Sequence, residues 1–225
     1  MIIIVVGMHR SGTSALAGML HGNGVVMGEP GDFHPPPMRE NPKGFYENRR
    51  FRNINDAILK ERGYRVKEFS PQVPRWEGRV SKEVWDNMVA LVRHYDSHYK
   101  VWGWKDPRTC LTVWHWLRVI ERCKGHHRDV RVVVMLRKHE DISRSMQNRG
   151  NRERMYPGQF AALSAIYYAN AMAALVASGV EYLEVPFNLL MEDTRWVGKL
   201  LTKYLGYEVR DTSFVEPQIS QIGSK

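Results

Sequence analysis

The first fourteen residues, Met1-Ile-Ile-Ile-Val-Val-Gly-Met-His-Arg-Ser-Gly-Thr-Ser14, constrain the fold more than any other part of this chain. The apolar run from Ile2 to Val6 reads as a buried strand. Gly7 breaks it, and helical spacing of apolar residues begins near Thr13 with Ala15, Leu16, Met19 and Leu20. A strand, a tight glycine-bearing loop and a helix wrap backbone N–H groups around a phosphate at the helix N-terminus. The loop of nucleotide-hydrolysing proteins reads GxxxxGKS or GxxxxGKT. Here Thr13 stands at the lysine position, and the cation, Arg10, lies inside the loop.

Further along, strands and helices alternate. Arg49–Glu61 has an amphipathic pattern with Phe51, Ile54, Ile58 and Leu59 on one face. A second helix is expected over 81–99, capped by Ser81. Val101 to Trp104, Val130 to Leu136 and Glu181 to Val185 read as strands, with helices expected over 111–123, 139–149, 158–178 and 188–205. This alternation predicts a parallel sheet with helices on both faces, in one domain covering 1–225. Ligands bind such sheets beyond the carboxyl ends of the strands. Three charged motifs fall there: His9-Arg10-Ser11, Lys105-Asp106-Pro107-Arg108 and Arg137. Residues 28–48 are rich in Gly, Pro and charge, and are expected to form a mobile loop on the acceptor side.

A formal charge of +9 favours anionic partners such as phosphorylated cofactors, acidic glycans or nucleic acid. The two cysteines, Cys110 and Cys123, have neither CxxC spacing nor the number a disulfide framework needs. No apolar run approaches a membrane span, and the first strand is too short to serve as a signal peptide, so a cytoplasmic enzyme is expected.

The loop His9-Arg10-Ser11-Gly12-Thr13-Ser14 resembles the 5′-phosphosulfate loop of sulfotransferases that use 3′-phosphoadenosine 5′-phosphosulfate (PAPS). The resemblance continues in order through Asn41-Pro-Lys-Gly-Phe-Tyr-Glu47-Asn48, the Lys105-Asp-Pro-Arg108 segment, Arg137 with Ser145, and Ser213-Phe-Val-Glu-Pro217. It implies an α/β, three-layer, P-loop NTPase-like fold with a central parallel sheet flanked by helices. It also implies transfer of a sulfuryl group from PAPS to a hydroxyl or amine of a small-molecule or glycan acceptor. The product 3′-phosphoadenosine 5′-phosphate (PAP) then leaves, and no metal, membrane or nucleic acid takes part.

Carried over residue by residue, Arg10 would contact the sulfuryl group and bridging oxygen. His9, Ser11, Gly12, Thr13 and Ser14 complete the donor loop. Arg137 and Ser145, eight residues on, would grip the 3′-phosphate; the planar guanidinium suits phosphate. Ser143 is a nearby competitor. Lys105 would neutralise the leaving phosphate or an acidic acceptor. Asp106 would either orient a basic residue or help take the acceptor's proton, and a plain ion pair among Lys105, Asp106 and Arg108 is the alternative. Transfer needs a base: Glu47 comes first, then His34, then His9. The competing role for Glu47 is a carboxylate at a helix N-terminus.

Two other function classes compete. A small-molecule kinase with a deviant P-loop would need ATP and magnesium, and Thr13 in place of lysine speaks against it. A basic nucleic-acid-binding module would draw on the +9 charge, but no recognisable binding motif accompanies it.

Overall fold

The computed structural model describes residues 1–33, 43–75, 77–148 and 156–215. Four strands form one sheet: β1 (Ile2–Val6), β2 (Trp102–Lys105), β3 (Val130–Leu136) and β4 (Tyr182–Pro186). Their order is β2-β1-β3-β4, and all three pairings are parallel. Eight helices connect them: α1 (Thr13–Gly22), α2 (Arg49–Glu61), α3 (Lys82–His98), α4 (Thr109–Lys124), α5 (His139–Gln147), α6 (Pro157–Ser178), α7 (Phe187–Glu192) and α8 (Thr194–Leu205).

The pleat explains the layers. Alternate side chains of a strand point to opposite faces. Ile2, Ile4 and Val6 enter one core with α2, α3, α4 and α6. Ile3 and Val5 enter the other, with α1 and α8. All five are fully buried, each contributing on the order of 1.5–3 kcal/mol of apolar burial. A strand covered on both faces must be apolar at every position, which is what Ile-Ile-Ile-Val-Val supplies. The three-layer α/β expectation holds.

Because every strand runs the same way, the donor loop, Lys105 to Arg108, Arg137 and Phe187 all emerge at one end of the sheet. The chain leaves β1 to one side for β2 and crosses to the other side for β3. That reversal opens a crevice at the end of β1.

Two expectations need correction. The single helix expected over 188–205 is two helices, broken at Asp193, whose carboxylate accepts from the Trp196 N–H (2.9 Å) and so starts α8 as an N-cap. Residues Gly158–Ser178 of α6 are long and apolar enough to cross a membrane, contrary to the sequence reading. Small alanines make α6 apolar overall even though Ser164, Tyr167 and Asn170 interrupt every apolar run. It packs on α4 and α5, burying Phe160, Leu163, Tyr167 and Leu175. The first residues of the 28–48 stretch bond to α3. Glu29 meets His94 (2.7 Å) and Tyr99 (3.0 Å), and Asp32 accepts from Tyr95 (2.5 Å).

Candidate active site

The donor loop closes tightly on itself. A Cβ on Gly7 would lie 2.7 Å from Ser11 Oγ and 2.9 Å from the Met135 carbonyl oxygen, so only glycine fits there. Gly12 has φ 96°, and a Cβ on it would lie 2.3 Å from the Phe187 ring. The Ser11 N–H donates to the Met8 carbonyl (3.1 Å), and α1 starts at Thr13. Ser11 and Thr13 are buried within the turn, while Ser14 is half-exposed on the first turn of α1. The first N–H groups of a helix have no intrahelical acceptor, which leaves them for an anion.

Arg10 adopts the left-handed conformation, φ 66°. Its Nε donates to Ser145 Oγ (2.9 Å). Arg137 Nη1 donates to the Arg10 carbonyl (2.8 Å), and its guanidinium carbon lies 4.3 Å from the Phe187 ring centre. The loop after β1, the end of β3 and the second turn of α5 therefore meet in one place. Arg137 Nε is buried and has no hydrogen-bond partner among the described residues. Burial lowers the Arg137 pKa, partly offset by Asp141. A desolvated guanidinium with an unused donor is poised for an anion. Ser143 is buried as well, but Ser145 is the serine that meets Arg10.

At the end of β2 the arrangement differs. Lys105 is 1% exposed and its Nζ lies 3.2 Å from Glu47 Oε1. Arg108 Nη1 lies 4.0 Å from the second Glu47 oxygen and 2.8 Å from Asp106 Oδ1, and its Nε donates to Asp56 (2.7 Å). Burial pushes the Glu47 carboxyl up, but Lys105, His9 and Arg108 together pull it down to about 2. Burial pushes Lys105 down against the pull of Glu47 and Asp106. Lys105 Nζ is thus placed on Glu47. Asp106 has no exposed surface. It lies 2.8 Å from Arg108 Nη1 and accepts from Asn55 Nδ2 at 2.8 Å. Glu47 does not cap α2 either: Asn48 does, accepting from the Arg50 N–H (3.0 Å).

Asn55 was not singled out from sequence, yet it holds this network. It donates to Asp106 (2.8 Å) and Thr109 (3.2 Å), and accepts from Thr112 (2.7 Å) and Trp116 (2.7 Å). All four of its hydrogen-bonding positions are satisfied. The signal was present: Asn55 lies four residues after Phe51 and four before Leu59, a polar residue on the buried face of α2.

A cleft of about 220 Å³ opens beside the network, lined by His9, Glu47 and Arg108 together with Phe45, Val66, Lys67, Phe69 and Met146. The His9 ring stands edge-on to Phe69 with centres 6.0 Å apart. Glu47 and His9 thus share one cleft, and Asp106 does not face it. His34, Asn41 and the basic residues Arg149, Arg152 and Arg154 lie outside the described residues, as do Glu216 and Pro217. No group of three potential metal ligands occurs among the described residues.

No protein-family model matches the chain, and no curated protein sequence matches it. Solved structures do. The sulfotransferase domain from the Synechococcus PCC 7002 olefin synthase has a TM-score of 0.52 and 17% identity, covering 99% of this chain and 86% of that one. The sulfotransferase domain from the curacin biosynthetic pathway has a TM-score of 0.52 and 13% identity, covering 96% and 77%. Likeness at such identity is one of architecture: this chain has the fold of the sulfotransferase domains.

Proposed function

We propose that this protein transfers a sulfuryl group from PAPS to an acceptor hydroxyl or amine. The observation that carries the reading is the junction of Arg10, Ser145 and Arg137, which joins a phosphate loop to a second anion site at the end of β3. PAPS has two such anionic groups, a 5′-phosphosulfate and a 3′-phosphate. The residues suit both. Gly7 and Gly12 let the loop close where a Cβ would collide with Met135 and Phe187, which brings it tightly onto the start of α1, and the unused Arg137 Nε supplies a donor for the 3′-phosphate.

In this reading the loop amides and Arg10 hold the charge that develops on the sulfuryl group and the leaving phosphate. The acceptor oxygen attacks sulfur as the bond from sulfur to the 5′-phosphate oxygen breaks, and PAP leaves with the electron pair. Glu47, anionic across the neutral range, accepts the hydroxyl's hydrogen bond and its proton. Lys105 and Arg108 fix the carboxylate, Asp106 fixes Arg108, and Asn55 fixes Asp106.

A thermal-shift titration tests the donor. A ligand bound only by the native state raises the melting temperature by mass action. PAP should stabilise the protein without magnesium, and ATP should do so weakly. Equal shifts by ATP and PAP, or a strict magnesium requirement, would favour the kinase reading instead.

A further inference from the structure

Among the described residues, three that are not glycine have positive φ: Arg10 (66°), Tyr46 (51°) and Phe69 (50°). For bulky residues such angles are outliers, each costing about 1–3 kcal/mol. Phe69 lines the cleft; Arg10 follows His9, and Tyr46 lies between Phe45 and Glu47, all lining residues. Backbone strain held around one cleft by its surroundings is a mark of a binding site. Phe69 is held in place by Gln159 Nε2, which donates to its carbonyl (3.1 Å), and by the Phe160 ring, 5.8 Å away.

The lining defines the ligand. Phe45, Val66, Phe69 and Met146 form an apolar wall, and aromatic rings with a thioether favour a flat ring. At about 220 Å³ the cleft is smaller than the roughly 300–1,000 Å³ of sites for drug-sized ligands, which suits a single ring. The charges are unequal. Glu47 is matched by Lys105 and Arg108, and Arg108 by Asp106 and Asp56. Lys67 is exposed on the cleft wall and pairs with no carboxylate among the described residues, while its neighbour Glu68 pairs with Arg65 (3.6 Å). The cleft therefore offers a hydroxyl-accepting carboxylate on one side and an unmatched cation on another.

We propose that the acceptor is a small phenol-like ring carrying an anionic oxygen group, its hydroxyl at Glu47 and its anion at Lys67. This rests on the sulfuryl-transfer reading. The phenol oxygen bonds to sulfur, the bond to the 5′-phosphate breaks, PAP carries off the electron pair, and the phenolic proton passes to Glu47.

Four probes separate the possibilities, each assayed with PAPS for its sulfated product: 4-hydroxyphenylacetate, 4-hydroxyphenyl phosphate, neutral 4-methylphenol and cationic tyramine. The anionic probes should exceed 4-methylphenol in kcat/KM by about fivefold, the upper range for a solvent-accessible ion pair. Tyramine should be poorest, and the order of carboxylate and phosphate identifies the natural anion. Lys67→Ala should collapse the preference to about onefold, and Lys67→Glu should turn it toward tyramine. The PAP thermal shift, measured on every variant, shows that each one folds. If PAP binds but charge makes no difference, or only a sugar such as N-acetylglucosamine is sulfated, or no phenol reacts, the inference falls and the donor reading stands. If PAP does not bind the wild-type protein, the donor reading falls and takes the inference with it.

Discussion

The two sides of the crevice handle charge in opposite ways. At the ends of β1 and β3, Arg10 Nε donates to the Ser145 hydroxyl and Arg137 Nη1 to the Arg10 backbone carbonyl. At the end of β2, Lys105, Glu47, Arg108, Asp106 and Asp56 form a chain in which each charge faces its opposite. Arg137, whose Nη1 donates to a neutral carbonyl and whose Nε is unused among the described residues, gains when an anionic ligand arrives. A network already neutralised gains nothing from one, and instead fixes the geometry of a single carboxylate. In the proposed reaction the first side would bind the donor, and the second would position Glu47.

That contrast can be broken by removing one member from each side. The largest effect should come from Asp106→Ala, which leaves Arg108 buried beside Lys105 without its main counter-charge. Removing one partner of a buried ion pair costs about 3–5 kcal/mol, read as a shift in the urea midpoint. A loss under about 1 kcal/mol would mean that Asp106 is not holding the network together. Next is Glu47→Gln, which keeps the shape and removes the proton acceptor. Turnover with a true acceptor should fall about 100-fold or more while PAP affinity is kept. Full turnover would move the proton to His9 or His34.

Arg137→Ala probes the other side. It should weaken PAP binding by about 1.5–3 kcal/mol and leave binding of AMP, which lacks the 3′-phosphate, little changed. Its urea midpoint should move far less than that of Asp106→Ala. Equal losses for both nucleotides would show that Arg137 does not read the 3′-phosphate. A pH dependence confined to acid sharpens the electrostatics. The Glu47 carboxyl is lowered from 4.5 to about 2 on folding. Its contribution to stability is complete above pH 4.5 and is lost as pH falls through about 2. Stability measured across that window should fall more steeply in the wild type than in Glu47→Gln. Parallel curves would place Glu47 outside the influence of Lys105.

Much of the donor side was legible because its signals are local. The apolar run of β1, the two loop glycines and the arginine ending β3 each lie within a few residues of the feature they mark. The acceptor side was harder to read. Lys105 and Asp106 were picked out as charged residues at a strand end, but their duties were not, since burial decides them and a four-residue motif carries no burial. Asn55 was passed over because a lone polar residue in a helix is ordinary until its four partners are known. Phe187 went unremarked for a similar reason: it lies against Arg137 and crowds Gly12 from the start of α7, 50 residues beyond Arg137 in the chain.

The sequence alone determined the parallel sheet and both core faces of β1. Periodicity, glycine and caps act between neighbours in the chain, where the backbone fixes the geometry in advance. Tertiary structure alone decided which charges meet. Arg10 and Ser145 are 135 residues apart, and Lys105 and Glu47 are 58 apart. Each pair forms only when parallel strands deliver their ends to the same edge of the sheet, and there burial sets the ionisation of Glu47 and the confinement of Asp106.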